Sequence, residues 1–304
     1  MTDRNWQNAA RSRTGLAAAA SLLALMIGLP FALGACGGES ESKAATVATE
    51  KDFDRGNFSD STTIDNKWSP LVPGARFIYH GRSNRGLGRR PHEVIFTVTD
   101  LVKKVDGVRS VVLWDQDINA GKLLEGELAL FAQDDDGNLW NMGEFPAEFD
   151  EEGKFEGAPD TWIAGLDGAR AGILMRGDPQ VGTPSYHQGL APKIEFQDLA
   201  KVAKTGQRNC VPVGCYKDVL VTDETNPAEP NDGHQLKYYA PGVGNIRAAP
   251  GVGGKEKEVL VLVKVERLSS DALARARERA LALEKLAYKT PKIPWRRPPP
   301  AQRR

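Results

Sequence analysis

The sequence predicts a mainly all-β protein: an antiparallel sheet, strongly curved or closed into a barrel or half-barrel, with one C-terminal α-helix. Three observations predict it. From about Trp68 onward, short segments of alternating apolar and polar residues recur between turn signals. No helical pattern separates them, which excludes the alternation of strands and helices that builds a parallel sheet. One Ala/Leu-rich segment with helical spacing stands alone after the last strand-like run. The order this implies is a signal peptide over 1–35, a flexible tether over 36–56, a β-sheet domain over 57–268, a helix over 269–288 and a disordered basic Pro-rich tail over 289–304.

The N-terminus comes first. Arg4, Arg11 and Arg13 face a single acid, Asp3, and an uninterrupted apolar run follows over residues 16–33. This is the charge and hydropathy pattern of an export signal. The run contains Gly28 and Pro30 and ends in Leu33-Gly34-Ala35-Cys36. Those four residues resemble the lipobox of bacterial lipoproteins, in which a cysteine thiol receives a diacylglycerol before the peptide is cut in front of it. The resemblance implies lipidation at Cys36. Acyl chains contribute about 0.8 kcal/mol per buried CH₂, so two or three would hold the protein on a membrane without spanning it. Gly37 occupies the position where an Asp signals inner-membrane retention in Gram-negative lipoproteins, which implies the outer membrane or cell surface. The polar, aromatic-poor stretch to about Glu50 has the composition of a flexible tether.

The strands follow in order. Phe77 and Tyr79 share a face within 76–80, and Val94, Phe96 and Val98 share one within 93–102. Asp106-Gly107 turns into 108–117, Asn119-Ala120-Gly121 turns into 122–133, and the run 134–138 leads into 139–144, where Trp140 and Met142 share a face. Runs at 219–222, 235–239 and 259–266 continue the series, the last with Val259, Val261, Val263 and Val265 on one side. The helix is expected over 271–288 with Ser270 as its N-cap, and Leu273, Ala276, Ala280, Leu283 and Ala287 form a stripe to pack on the sheet.

Several blocks resemble a family of secreted bacterial proteins, many of them lipoproteins, to which no activity is assigned. They are Thr63-Ile64-Asp65-Asn66 with Pro70-Leu71-Val72-Pro73-Gly74, then residues 162–169 with Gly172-Ile173-Leu174-Met175, then Val211-Pro212-Val213-Gly214, then Lys237-Tyr238-Tyr239-Ala240-Pro241-Gly242-Val243-Gly244. The resemblance covers most of 57–247 and implies an extracytoplasmic location. Its last block also looks like that of secreted half-barrel proteins similar to the periplasmic lipoprotein carriers. It brings no catalytic residues with it.

The candidate chemistry is sparse. Cys210 and Cys215 flank a four-residue turn, and in an oxidising compartment they read as a structural disulfide. Zinc would need two more ligands, and only His234 is near in sequence. The run Asp134-Asp135-Asp136-Gly137-Asn138 invites calcium, but an EF-hand register would need an acid at Ala132 and a Glu at Gly143. It reads as a hairpin turn. Asp115, Asp117 and the acids over 144–152 offer paired carboxylates for a hydrolase, although Trp68, Trp114, Trp140 and Trp162 lie in patterns that read as core. His80, His92, His187 and His234 show no metal-ligand spacing, and Pro91 after Gly86-Leu87-Gly88 breaks a dinucleotide fingerprint. No metal, cofactor or enzyme motif is expected.

Charge sharpens the expectation. Forty basic residues balance forty acidic ones, which excludes a uniformly basic nucleic-acid binder. Lys289, Lys292, Arg296, Arg297, Arg303 and Arg304 concentrate positive charge in the tail, where an anionic surface or wall polymer would be the partner. The sequence therefore points to a lipid-anchored, non-catalytic envelope lipoprotein that binds an apolar ligand, lipid or envelope partner. The alternatives are an envelope hydrolase acting through acids and a membrane-to-wall tether.

Overall fold

The computed structural model describes residues 53–84, 89–254 and 258–304, so Cys36 and the signal peptide lie outside the described residues. The strands are β1 (Ala75–Asn84), β2 (Arg89–Val105), β3 (Val108–Asn119), β4 (Lys122–Gln133), β5 (Leu139–Phe149), β6 (Phe155–Gly157), β7 (Trp162–Ile163), β8 (Gly172–Met175), β9 (Tyr186–His187), β10 (Leu199–Val211), β11 (Gly214–Thr225), β12 (Gln235–Ala240), β13 (Gly244–Pro250) and β14 (Glu258–Arg267). Helix α1 (Ser270–Lys289) and the short β15 (Gln302–Arg303) complete the chain.

Two antiparallel meanders make one sheet. Its order is β6-β5-β4-β3-β2-β1-β14-β13-β12-β11-β10-β9, so β1 paired with β14 is the seam between an N-terminal and a C-terminal half. The sheet is open and curved. Register irregularities in β1–β14, β2–β3, β3–β4, β4–β5 and β12–β13 supply the bends, because each extra residue kinks its strand and increases the local twist. The tight turns are made as the sequence predicts: Asp106 (φ 47) with Gly107 (φ 86), and Ala120 (φ 50) with Gly121 (φ 81).

Alternation along the strands divides the core into two layers. On the inner face Val98, Leu113, Ala129 and Phe131 of the first meander meet Val219, Leu220, Tyr239 and Ile246 of the second. On the outer face Val112, Trp114, Leu128, Leu130 and Met142 meet the helix. In β14 the buried residues are Leu260 and Leu262, so the valine row faces the less buried side.

Helix α1 begins one residue earlier than expected, with Ser269 as its cap: the Ser269 hydroxyl accepts from the Ala272 N–H at 3.3 Å. Ala276, Ala280, Leu283 and Ala287 are buried against the sheet, and Glu284 is buried among them. The segment after the helix differs from the disordered tail that its composition suggests. Trp295 is fully buried and contacts Phe145 at 5.6 Å between ring centroids. Gln302 and Arg303 pair with Val102 and Leu101 as β15. The reason lies in acids far away in sequence. Lys103, at 0% exposure, donates to Glu284 Oε1 at 2.8 Å, to the Tyr288 hydroxyl at 2.9 Å and to the Pro299 carbonyl at 2.8 Å. Glu284 also accepts from the Trp295 indole and the Ala301 N–H, while Arg297 meets Asp167 and Arg303 meets Asp100.

Candidate ligand-binding cavity

The inner face holds a small cavity of about 70 Å³, open to solvent, between the two meanders. Its walls follow from strand alternation: Phe77 faces Phe96 across β1–β2, and Leu113, Phe131 and Tyr239 add apolar surface from β3, β4 and β12. Its floor comes from Ser69, Pro70 and Leu71. Asn66 builds that floor by accepting from the Trp68 and Ser69 N–H groups and donating to the Gly137 and Arg176 carbonyls. The Thr-Ile-Asp-Asn block is thus a scaffold for Ile64, Trp68 and Leu71, all buried.

The cavity carries one charged side chain, Lys237, which pairs with Glu224 at 2.6 Å. Glu224 also accepts from Thr222 and Gln188, at 3.1 and 3.2 Å. Burial and the nearby Glu224 carboxylate push the Tyr239 hydroxyl above its usual range. The Tyr79 hydroxyl, pushed up by burial and by Tyr239, donates to the Asn245 carbonyl at 2.7 Å.

A row of carboxylates continues the same face beyond the aromatic wall. Asp115 lies opposite both Phe96 and Glu127, and Asp117 lies opposite Glu125. All four are buried. Burial, Asp117 and Glu125 raise Asp115 well above the carboxylate range, and burial with Glu144, Glu125 and Asp115 does the same to Glu127. Glu144 is otherwise engaged, accepting from Asn141 at 2.6 Å and from the Trp162 indole at 3.0 Å.

The remaining sequence candidates are spread apart. Cys210 and Cys215 are joined by a disulfide at the tip of the β10–β11 hairpin. Asp134 organises its turn by accepting from the Asp136 and Asn138 N–H groups and the Trp140 indole. His80 meets Glu93, His92 lies 3.4 Å from both Asp117 and Glu258, and His234 meets Asp223. Sequence reading missed Glu125, Glu127, Glu224 and Lys237. Strict alternation over 123–131 places Glu125 and Glu127 on the face of Ala129 and Phe131, a signal that was available.

Fold and cavity together define an open, curved antiparallel β-sheet protein with an apolar inner chamber. No family model matches the chain, and no curated protein does. Among solved structures it is similar to a Bacteroides fragilis protein described as exported with a YmcC-like fold: 14% identity, 66% of this chain and 99% of that one covered, TM-score 0.36. It is also similar to a Parabacteroides distasonis protein described as a lipoprotein: 13% identity, 68% and 100% covered, TM-score 0.37. Neither description names a ligand or an activity.

Proposed function

We propose that the protein is an envelope lipoprotein, held on its membrane through lipid on Cys36, whose inner sheet face binds an apolar ligand. The observation that carries this reading is the aromatic-lined, concave pocket between the meanders, apolar but for a few polar groups as small-molecule sites are. The lipobox and export signal support the location. The hydrolase alternative through Asp115 and Glu144 has less support, because Glu144 is committed to Asn141 and Trp162. A tether through 289–304 also has less support, because part of that segment's charge is turned onto the protein's own Asp100 and Asp167.

The test is to fill the chamber. Leu113→Trp adds an indole to the cavity wall, and a decanol titration followed by calorimetry reports occupancy. Wild type should bind one equivalent and the variant should bind at least about tenfold more weakly, with circular dichroism unchanged. Equal binding by both proteins, or none by wild type, would reject the cavity as the site.

A further inference from the structure

We infer that the ligand of this chamber is a carboxylate-headed amphiphile, its carboxylate seated against Lys237 and Asn245 and its alkyl chain lying along the aromatic wall. The inference rests on the cavity reading above and specifies its ligand.

The sign of the chamber is set by the groups that reach it. Lys237 is the charged side chain on its lining, and the polar side chains that join it are Ser69, Tyr79, Tyr239 and Asn245. Among the described residues no acid lines it. Lys237 is itself buried, at 4% exposure, and pairs with Glu224 at 2.6 Å. Glu224 stands off the lining, where Thr222 and Gln188 donate to its other oxygen. The pair is therefore a fixed dipole whose cationic end meets the chamber and whose anionic end is held behind it. Apolar walls screen such a dipole far less than water does. The buried acids of β3 and β4 lie outside the lining and do not set its sign.

Asn245 adds a second donor. It lies directly opposite Tyr239 in the β12–β13 pair, and Lys237 is two residues before Tyr239 on the same face. Both oxygens of Asn245 are engaged: the side-chain oxygen accepts from the Arg247 N–H at 3.0 Å, and the main-chain oxygen accepts from the Tyr79 hydroxyl at 2.7 Å. What Asn245 has to offer the chamber is its amide N–H pair. An ammonium and an amide, on adjacent rungs around one tyrosine, both donate.

These donors select the head group. A carboxylate presents two acceptor oxygens and a charge opposite to the end of the dipole that meets it. An ammonium head would be set against Lys237 itself. A hydroxyl head accepts without charge, and charge-assisted hydrogen bonds are about twice as strong as neutral ones. The chamber is small and open to solvent, so it encloses only part of an alkyl chain and leaves the head group a large share of the affinity.

The experiment uses the purified full chain and three ligands with the same alkyl length, decanoate, decanol and decylammonium, titrated calorimetrically below their micelle concentrations. The expected order is decanoate tighter than decanol by about tenfold or more, with decylammonium weakest. Lys237→Met/Glu224→Gln removes both charges while keeping an acceptor for Thr222 and Gln188, and should abolish the preference for decanoate with decanol unchanged. Asn245→Ala leaves the ion pair in place and should reduce the preference by about threefold to fivefold. If decanol binds but decanoate binds no better, if decylammonium binds tightest, or if the preference survives the double substitution, the assignment of the head group is overturned while the cavity stands. Should the double variant fail to fold, Asn245→Ala decides, and an undiminished preference there overturns the assignment. If no ligand of the three binds, both are overturned.

Discussion

Asp115 and Glu127 show how a single pair of side chains can set the solution behaviour of the whole sheet. Burial and neighbouring carboxylates raise both above their ordinary values of 3.8 and 4.5. Between those values and the raised ones the folded state binds more protons than the unfolded state, so stability falls as pH rises through that window. Thermal unfolding should therefore occur at a higher temperature near pH 5 than near pH 8, and Asp115→Asn/Glu127→Gln should flatten the difference. An unchanged slope in the variant would assign the pH dependence elsewhere. Lys103 shows the opposite design. Burial lowers its pKa while Glu284 opposes that shift, and the ammonium spends its three protons on Glu284, Tyr288 and Pro299. Lys103→Met would leave the Glu284 carboxylate buried without its cation and should cost about 3–5 kcal/mol in denaturant unfolding. Adding Glu284→Gln, which keeps an acceptor for the Trp295 indole, should recover a large part of that loss. If the double variant is as unstable as the single one, the ion pair is not what holds this region.

Individual elements were legible in the sequence to the degree that their pattern is local. The hairpins of β2 to β5 follow from period-two alternation and from Asp-Gly and Ala-Gly turns, and the helix stripe follows from spacing alone. Strand β10 was not legible, because lysines, Thr205, Gln207 and Arg208 interrupt its apolar positions and much of its outer half is exposed beside β11. The bends were not legible either, since a bulge depends on what the neighbouring strand demands. Gly81 lies near one such place. It pairs with Leu260 three residues beyond the β1–β14 irregularity, and a Cβ there would stand 1.6 Å from the Val259 carbonyl oxygen. The seam between the two meanders therefore needs a bare backbone at this position. Gly81→Ala should force the strands apart and lower the midpoint of thermal unfolding by about 5 °C or more. A midpoint within about 1 °C of wild type would show that the seam tolerates a side chain.

At the scale of the molecule, the neutral total charge conceals a division of labour. The inner face concentrates acids, and the C-terminal segment concentrates bases, yet that segment closes back over the outer face instead of reaching away from it. Its basic composition suggests a mobile, solvated end, and composition cannot reveal that Asp100, Asp167 and Glu284 wait opposite it. Trp295 is the decisive residue, because a fully buried indole held by Phe145 and Glu284 fixes the chain on both sides of it. Removing a buried tryptophan costs about 3–5 kcal/mol, and deleting 290–304 also uncovers the Lys103–Glu284 pair. Truncation after Lys289 should therefore lower the unfolding midpoint at least as far as Trp295→Ala does, with the drop exceeding about 6 °C. Arg296→Glu/Arg304→Glu, which reverses charge without removing the indole, should shift it far less. Should truncation leave the midpoint where it was, the segment would act as a free arm after all, and its five basic residues would be available to an anionic surface.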